Sequence, residues 1–533
     1  MKLKLFKSKE DNYSKFDSGS SKSKSFKSNP IKRSINKISK FFTKNKIVKV
    51  ITNTFTKDIV NKLSLTLAIV IVYRFLAAIP LPGIDMSVYN SNFAGGAGSQ
   101  SNALFSLFTG GQLDSPSLVG LGLVAYINAS IVMQLLPYAI PRLKEIQQEG
   151  ERGRQVINQI TRLITLPLSF FYSIAYLVYL SQRDVANPQN LATVASDPNH
   201  VPLYLIPHAA GTTWPSIEKI IFMAVILAAG TMFLMWLSEL ITERGLGNGS
   251  SIIITIGILA NLPTYISSDF AQANILQVLA NIFQGRFEYL RDPYFIAIIA
   301  VILGLILVIT ALVFINESQR KIDIRYARRV RGEEGGQGSF LPIKFTITGV
   351  LPVIFATSLL SIPQILVPLI ENSIDSNSAV GSFIQSIKNG FLFASQNAAI
   401  DTNDLIFIIV EFCLVIVFGL FYAFIVLNPK ETAENLQKSG AFVPGIRPGK
   451  STERYITGVI LRISFVGAIV LAIISIIPIV SRDLLISSTG NSLQILTGIS
   501  GTGILIIVGV VLDTYRQYKS LKATRGYDRY IIS

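Results

Sequence analysis

The side chains that most often carry catalysis or bind metals are scarce in this chain. Its single cysteine, Cys413, lies in an apolar run, and its two histidines, His200 and His208, lie in one loop. A cysteine-based metal site needs several thiols, and two histidines in one loop are poor ligands or general bases without further partners. The sequence therefore predicts no catalytic site, no metal site and no bound cofactor.

One glycine-rich motif could suggest phosphate chemistry. In ITERGLGNGSSIII (241–254), Gly245, Gly247 and Gly249 alternate with other residues. A nucleotide-binding loop follows a strand and opens a helix in a soluble βα unit, whereas both flanking segments here are apolar enough to be membrane helices. We interpret the motif as a tight turn between two helices, and any energy source must then be external to this chain.

The elements that position these residues are membrane helices. Half of the 533 residues are hydrophobic, 15% are charged, and the mean hydropathy is +0.49. Apolar runs of about 18 residues or more indicate an all-α polytopic membrane protein. Ten spans are predicted, at residues 63–80, 118–138, 158–180, 217–240, 250–267, 293–315, 346–370, 404–427, 455–478 and 497–512.

Basic residues orient these spans. Residues 1–62 carry 17 Lys and Arg, and the five loops on the far side carry 5. The other loops on the side of the N-terminus, with the C-terminal tail, carry 23 when Arg162 at the start of the third span is counted with them. Because Lys and Arg accumulate on the cytoplasmic side, both termini are predicted to be cytoplasmic. Ten spans divide into two five-helix halves of opposite orientation, which is the arrangement of an inverted repeat.

This topology predicts five segments. Residues 1–57 form a Lys/Ser-rich tail that is too polar to fold, with contact to anionic lipid headgroups favoured over contact to nucleic acid. The other segments are an N-terminal half at 58–268, an extracytoplasmic hinge loop at 269–292, a C-terminal half at 293–515 and a cytoplasmic tail at 516–533.

Charges inside the spans separate two classes of membrane protein. The span interiors contain Arg74 and Arg462 but offer no acidic partner near the midplane, and Glu239 and Asp513 fall at cytoplasmic ends. Carriers coupled to protons or sodium usually hold acidic groups or histidines there. A secondary transporter of small solutes is therefore the weaker alternative, and a structural scaffold is a third interpretation.

Two cytoplasmic loops, 316–344 and 428–455, are longer than a helix connection needs. Both are basic, and Arg447 lies in a turn with Gly445, Pro448 and Gly449. A projecting, rigid basic tip indicates a docking partner.

The segment NALFSLFTGGQLDSPS (102–117) is apolar but too short to cross a bilayer. It raises the question of why a membrane protein carries a half-helix that ends at a glycine pair.

Seven motifs stand out along the sequence. They are LPGIDMSVYN, FSLFTGGQL, YINASIVMQLL, EIQQEGERGR, GTMFLMWLSELITERGLGNGSSIII, the RYA of the 316–344 loop and LNPKETAENLQKSGAFVPGIRPG. Together they resemble the SecY family, the channel subunit of the general protein-secretion translocase. The resemblance extends in order over about residues 58–520.

The resemblance implies a channel without enzymatic activity, in which ten helices surround an hourglass pore. The matching plug is the short helix at 102–113, with Leu104, Phe105, Leu107, Phe108, Gly110 and Gly111. The matching pore ring is Leu123, Ile127, Ser250, Ile254, Ile354 and Ile506. An apolar ring seals by dewetting, and Ser250 departs from a fully apolar ring unless its hydroxyl bonds back to its own helix.

The resemblance also implies a lateral gate between spans two and three and spans seven and eight. Polar residues on the gate helices are Asn128, Gln134, Thr357 and Ser358. The matching docking position is Arg447, and Arg320, Lys321, Arg325, Arg328 and Arg329 extend its surface.

The implied partners are SecE-type and SecG-type small membrane subunits, a SecA-type motor ATPase, the ribosome, the lipid bilayer and unfolded polypeptides with signal sequences. The implied location is a bacterial plasma membrane, with a plastid thylakoid membrane as the less favoured alternative, because no transit peptide is apparent.

Overall fold

The computed structural model describes residues 57–84, 116–182, 206, 217–272, 293–326, 339–347, 349–371, 402–489 and 501–532. Residues 61–533 form one compact unit, and residues 1–60 form a second unit of which only 57–60 are described. The predicted plug, the predicted tail up to residue 56 and residues 273–292 of the predicted hinge loop lie outside the described residues.

The described chain is mostly helical. Its elements, in order, are α1 (Lys57–Ala78), α2 (Val124–Ala139), α3 (Pro141–Gln148), α4 (Glu151–Gln182), α5 (Ile217–Arg244), α6 (Gly249–Gln272), α7 (Pro293–Glu317), β1 (Gln319–Tyr326), β2 (Ser339–Lys344), α8 (Leu351–Glu371), α9 (Thr402–Leu427), α10 (Pro429–Lys438), β3 (Ala441–Phe442), α11 (Lys450–Thr489) and α12 (Gly501–Ile532). Each of the ten predicted spans overlaps one of these helices.

Six described helices are long and apolar enough to cross a membrane, namely α1, α4, α5, α7, α9 and α11. The pair α2 and α3 makes a seventh if it is counted as one bent span, and α6 and α8 contain shorter apolar helices. The number ten remains a prediction. The 108° bend between α2 and α3 falls at Ile140, which is extended because Pro141 follows it.

The helix ends differ from the predicted spans on the charged side of the molecule. Helix α4 begins seven residues before the predicted span at 158, and α12 continues to Ile532 through the segment predicted as a tail. Hydropathy marks only the part of a helix that lies in lipid, so polar turns that extend into water are missed.

The 316–344 and 428–455 loops contain structure that an all-α prediction does not include. Strands β2, β1 and β3 form an antiparallel sheet in that order, with Ile322 opposite Leu341 and Arg325 opposite Phe442. Ile322 and Ile324 alternate with exposed residues and pack inward, as a strand with one buried face requires. The sheet joins the two basic loops over a separate small hydrophobic core that includes Ile343 and Ile460.

The main core lies between the helices that carry the predicted ring and gate. Helix α8 packs against α2, α4 and α9, while α9 packs along α11 and α4 packs along α5. The helices α9 and α11 approach closely at Gly419. A Cβ atom added to Gly419 would lie only 2.7 Å from the Cβ of Ala468. Small residues at such crossings bring helix backbones together in membrane proteins.

Candidate functional site

A cavity of about 350 Å³ opens between the five helices α2, α4, α5, α6 and α8. We call this cavity the vestibule. Its residues are Tyr126, Ile127, Ser130, Gln134, Asn158, Arg162, Ser238, Glu239, Thr242, Glu243, Asn248, Ser250, Ser251, Ile254, Leu351, Ile354 and Phe355. The lining residues of α4, α5 and the start of α6 form a polar wall. The lining residues of α8 are apolar, and α2 contributes both kinds, Ile127 together with Ser130 and Gln134.

Four of the six predicted ring residues line this one cavity. Ile127, Ile254 and Ile354 are buried side chains from α2, α6 and α8, and Ser250 joins them at the start of α6. Leu123 and Ile506 do not line the vestibule, although both are buried in the same hydrophobic core as the three isoleucines. The structure thus places residues that are up to 383 positions apart in one hydrophobic core.

The hydroxyl of Ser250 bonds locally. Ser250 Oγ donates to Asn248 Oδ1 at 2.8 Å, and the same oxygen accepts the Ser250 N–H at 3.2 Å. An Asn just before the first helical turn satisfies amide groups that the helix leaves unpaired. The Ser250 hydroxyl is therefore bonded to the residue that precedes α6 and not to a backbone oxygen within its own helix.

An ion pair crosses the polar wall of the vestibule. Arg162 of α4 and Glu239 of α5 meet in a fork, with Nη2–Oε2 at 2.7 Å and Nε–Oε1 at 2.8 Å. Glu239 was predicted to lie at a cytoplasmic helix end, and Arg162 was not predicted as its partner. Because Arg162 is partly exposed, the pair contributes on the order of 1 kcal/mol or less to stability. Its main effect is to fix the orientation of α4 on α5.

Two of the four predicted gate residues bond across helix interfaces. Asn128 Nδ2 donates to Tyr172 Oη on α4 at 2.9 Å, and Tyr422 Oη on α9 donates to Gln134 Oε1 on α2. The second bond joins span two to span eight, the two sides of the predicted gate. Gln134 is held from the other end as well, because its Nε2 donates to Ser130 Oγ at 2.9 Å.

The other two gate residues do not bond across the gate. Thr357 Oγ1 donates to the backbone oxygen of Val353 at 2.9 Å within α8. Ser358 Oγ is buried and has no hydrogen-bond partner among the described residues. Their position on α8 agrees with the prediction, but the expected interhelical partners are absent from the part of the chain that the structure describes.

Aromatic rings surround the Tyr422–Gln134 bond. These rings are not among the gate residues predicted from the sequence. Phe355 of α8 lies 4.8 Å from Tyr422 between ring centroids, and Tyr138 of α2 lies 5.4 Å edge-to-face from Phe421. Such pairs contribute about 0.5–1.5 kcal/mol beyond their buried area. We call Tyr138, Phe355, Phe421 and Tyr422 the aromatic gate cluster. The only sequence signal for it is the spacing of aromatic residues on the predicted gate helices.

The prediction that the span interiors offer no acidic group near the midplane did not include Glu411. Glu411 lies in α9, within the predicted eighth span, and none of its side chain is exposed. Ser475 of α11 donates its hydroxyl to Glu411 Oε1, and Oε2 has no hydrogen-bond partner in the described chain. Glu411 does not line the vestibule. It belongs to the α9–α11 interface, so it supplies no ion ligand to the candidate pathway.

The predicted docking residues lie on the sheet and on a neighbouring turn. Arg320, Lys321 and Arg325 are exposed on β1, while Arg328 and Arg329 lie outside the described residues. Arg447 lies in the predicted turn, where Gly445 and Gly449 have φ of +83° and +98° and the Arg447 backbone oxygen accepts a bond from Thr452 Oγ1. Pairing of β1 with β3 connects both sets of basic residues in one structural unit.

The segment that contains the predicted plug begins and ends at one short bridge. The Leu81 N–H donates to the Pro116 oxygen at 3.1 Å, and the Leu118 N–H donates to the Ile79 oxygen at 3.0 Å. These bonds form an antiparallel pairing of Pro80 with Ser117. The chain segments on either side of the predicted plug are therefore fixed side by side at Pro80 and Ser117.

These features define a helical membrane protein with a vestibule lined by polar residues and by three buried isoleucines. A family model for SecY matches residues 117–515. The protein translocase subunit SecY of Staphylococcus aureus is 33% identical over 90% of this chain and 99% of its own length.

Solved structures show the same fold. A protein-conducting channel has a TM-score of 0.55 at 17% identity, covering 86% of this chain and 92% of the other. Sec61 in a canine ribosome–channel complex from the endoplasmic reticulum has a TM-score of 0.51 at 17% identity, with the same coverage. The chain belongs to the SecY family, a family of translocase channel subunits rather than enzymes. Its relatives and its apolar helices make it a multi-pass membrane protein of the bacterial type.

Proposed function

We propose that the apolar layer of Ile127, Ile254 and Ile354 is the constriction of a protein-conducting channel and that unfolded polypeptides pass through it. The observation that carries this proposal is the vestibule, because one face of the layer meets a polar, water-accessible cavity. Ions must shed their hydration to cross an apolar layer, whereas a polypeptide can displace the nonspecific contacts that hold it closed.

The gate proposal rests on the contact between α2 and α9. The Tyr422–Gln134 bond and the aromatic gate cluster hold span two against span eight, and few polar contacts would have to break. Hydrogen bonds between membrane helices contribute only about 1 kcal/mol on average, so a gate of this kind opens at modest cost. An apolar signal sequence that enters between these helices replaces the lost contacts and reaches lipid.

The plug proposal rests on the loop at 82–115. The described bridge fixes both ends of the chain that contains this apolar segment of twelve residues, and the segment includes the glycine pair Gly110 and Gly111. We propose that residues 102–113 close the extracytoplasmic side of the constriction at rest. This role explains why the segment at 102–113 is too short to span the membrane. A plug has to move out of the channel and does not cross the bilayer.

The docking proposal rests on the basic sheet. Arg320, Lys321, Arg325 and Arg447 are carried by elements connected through β1 and β3, which form a surface for a SecA-type motor ATPase or for the ribosome. Both termini are proposed to be cytoplasmic, on the side of this surface. SecE-type and SecG-type subunits are proposed to pack on the exposed apolar faces of the helices, which also contact the lipid bilayer.

Crosslinking to a transported chain tests the channel proposal. Cys413 is the only cysteine, so a Cys413→Ser background carries a single introduced thiol. With Ile354→Cys, a secretory chain stalled during transport and bearing one cysteine should form a disulfide. Leu307→Cys on α7 is the matched control, because Leu307 is 68% exposed and does not line the vestibule. Absence of a crosslink at residue 354, with a signal sequence that supports export, contradicts the assignment.

Glu411 does not support the alternative that the protein is a solute transporter. A coupling-ion site needs the carboxylate to face the substrate pathway. Glu411 instead contacts Ser475 at the α9–α11 interface and is absent from the vestibule lining.

A further inference from the structure

Part of the glycine-rich motif at 241–254 belongs neither to the proposed ring nor to the proposed gate. Residues 245–248 form the turn between α5 and α6, as the sequence analysis predicted. We call these four residues the α5–α6 turn. It precedes Ser250 and Ile254 by only a few residues, so its position sets where these two constriction residues lie.

One side of the α5–α6 turn is held by α1. The Leu246 N–H donates to Thr66 Oγ1 at 3.1 Å, and that hydroxyl in turn donates to the Lys62 oxygen at 3.0 Å. Leu246 and Thr66 are both buried. Gly245 lies so close to the Thr66 side chain that a Cβ atom added to Gly245 would be 2.6 Å from Thr66 Oγ1.

The other side of the α5–α6 turn is held by α12. The Gly247 N–H donates to Gln517 Oε1, and a Cβ on Gly247 would lie 2.9 Å from Thr514 Oγ1. Gly247 also has a φ of +88°, a conformation that side chains disfavour. Thr514 and Gln517 are three residues apart and so share one face of α12.

Helix α12 is itself held by the end of α7. Arg516 Nη2 donates to the Asn316 backbone oxygen at 2.5 Å and to Glu317 Oε1 at 3.1 Å at the end of α7. Asn316 Oδ1 accepts a bond from Thr346 Oγ1 at 2.9 Å. The residues of α12 that contact the α5–α6 turn therefore have little freedom to move away from it.

Movement of the α5–α6 turn passes directly to the constriction. Asn248 Oδ1 accepts hydrogen bonds from the N–H and the hydroxyl of Ser250, which ties the turn to the first residues of α6. Ile254 lies one helical turn after Ser250, and the helix transmits a displacement as a rigid body.

We propose that Gly247 and Gln517 are positioning residues for the constriction. By holding the α5–α6 turn between α1 and α12, they keep Ser250 and Ile254 in the closed position, and loss of either contact lets the constriction leak ions. This proposal rests on the proposed function of the apolar layer, and it assigns a role to contacts that lie outside the constriction, the gate and the plug.

Ion leakage of the full chain in proteoliposomes tests the proposal. Gln517→Leu removes the acceptor and should raise resting ion leakage about three-fold, whereas Gln517→Glu keeps an acceptor and should leave it near the wild-type value. Gly247→Ala adds a strained φ and a close contact, so its leakage should rise further, about ten-fold. Tyr515→Leu is the matched control, because Tyr515 is exposed on another face of α12.

Two results would overturn the proposal. The first is unchanged leakage in Gln517→Leu and Gly247→Ala at equal amounts of folded protein. The second is equal leakage in Gln517→Leu and Gln517→Glu, because the hydrogen bond would then not be the cause. Ile254→Asn serves as the positive control for the constriction. If Ile254→Asn does not leak, the proposed function fails; if it leaks and the two other variants do not, only the positioning role fails.

Discussion

The Tyr422 hydroxyl on α9 donates a hydrogen bond to Gln134 Oε1 on α2, joining residues that are 288 positions apart. This bond lies among aromatic rings, since Phe355 contacts Tyr422 and Tyr138 contacts Phe421. The bond joins the two sides of the proposed gate. The free energy needed to open the gate should therefore depend on it.

Tyr422→Phe should make the gate easier to open. The variant keeps the ring packing and removes only the hydroxyl, so the ratio of closed to open channel should fall about three-fold. We expect export of secretory proteins with weakly apolar signal sequences to increase, as measured by protease protection in inverted membrane vesicles. Export with a strongly apolar signal sequence should change little, because that substrate already opens the gate.

Tyr172→Phe is a matched control for the gate prediction. Tyr172 accepts its bond from Asn128 on α2, but it lies on α4, which belongs to the same side of the gate. This substitution also removes a hydroxyl from an interhelical bond, yet it does not disconnect α2 from α9. Equal gains in export for both variants would contradict a specific role of Tyr422.

Deletion of residues 103–112 should raise ion leakage more than it lowers export. The deletion removes the proposed plug while the bridge of Pro80 with Ser117 still closes the base of the loop. Leakage is measured by conductance across a planar bilayer, and export by translocation into proteoliposomes. Unchanged conductance would show that the segment is not a seal.

The membrane helices were predictable, and the contacts between them were not. Each predicted span is found in a helix because about 20 apolar residues in a row have few alternatives to a membrane helix. The turn at Gly247 was also predictable, since alternating glycines between two spans favour a sharp connection. By contrast, the partner of Gln134 depends on how α2 and α9 pack, and no local pattern encodes that contact.

Two errors have different physical origins. The strands β1 and β2 were missed because positively charged loops were interpreted only through their charge, although Ile322 and Ile324 alternate with polar residues as in a half-buried strand. Glu411 was visible in the sequence but was overlooked inside a strongly apolar run. Its partner Ser475 is 64 residues away, so its burial at the α9–α11 interface could come only from the structure.

Charge reversal at the docking sheet should weaken partner binding. In Arg325→Glu with Arg447→Glu, we expect ribosome binding in cosedimentation to fall about ten-fold at low salt and by less at high salt, because screening already reduces the attraction. Lys144→Glu on α3 is the control, since it is exposed on the same side but lies outside the sheet. An equal loss for Lys144→Glu would indicate a general charge effect instead of docking.

Glu411→Gln should be tolerated better than Glu411→Ala. The amide keeps the shape of the side chain and still accepts the hydroxyl of Ser475, so the free energy of unfolding should change by less than about 0.5 kcal/mol. Alanine removes that bond and leaves a void at the buried α9–α11 interface, and should destabilise by about 2 kcal/mol. Thermal unfolding in detergent measures the difference. A loss of export in Glu411→Gln at wild-type stability would contradict a purely structural role and would identify a functional carboxyl group.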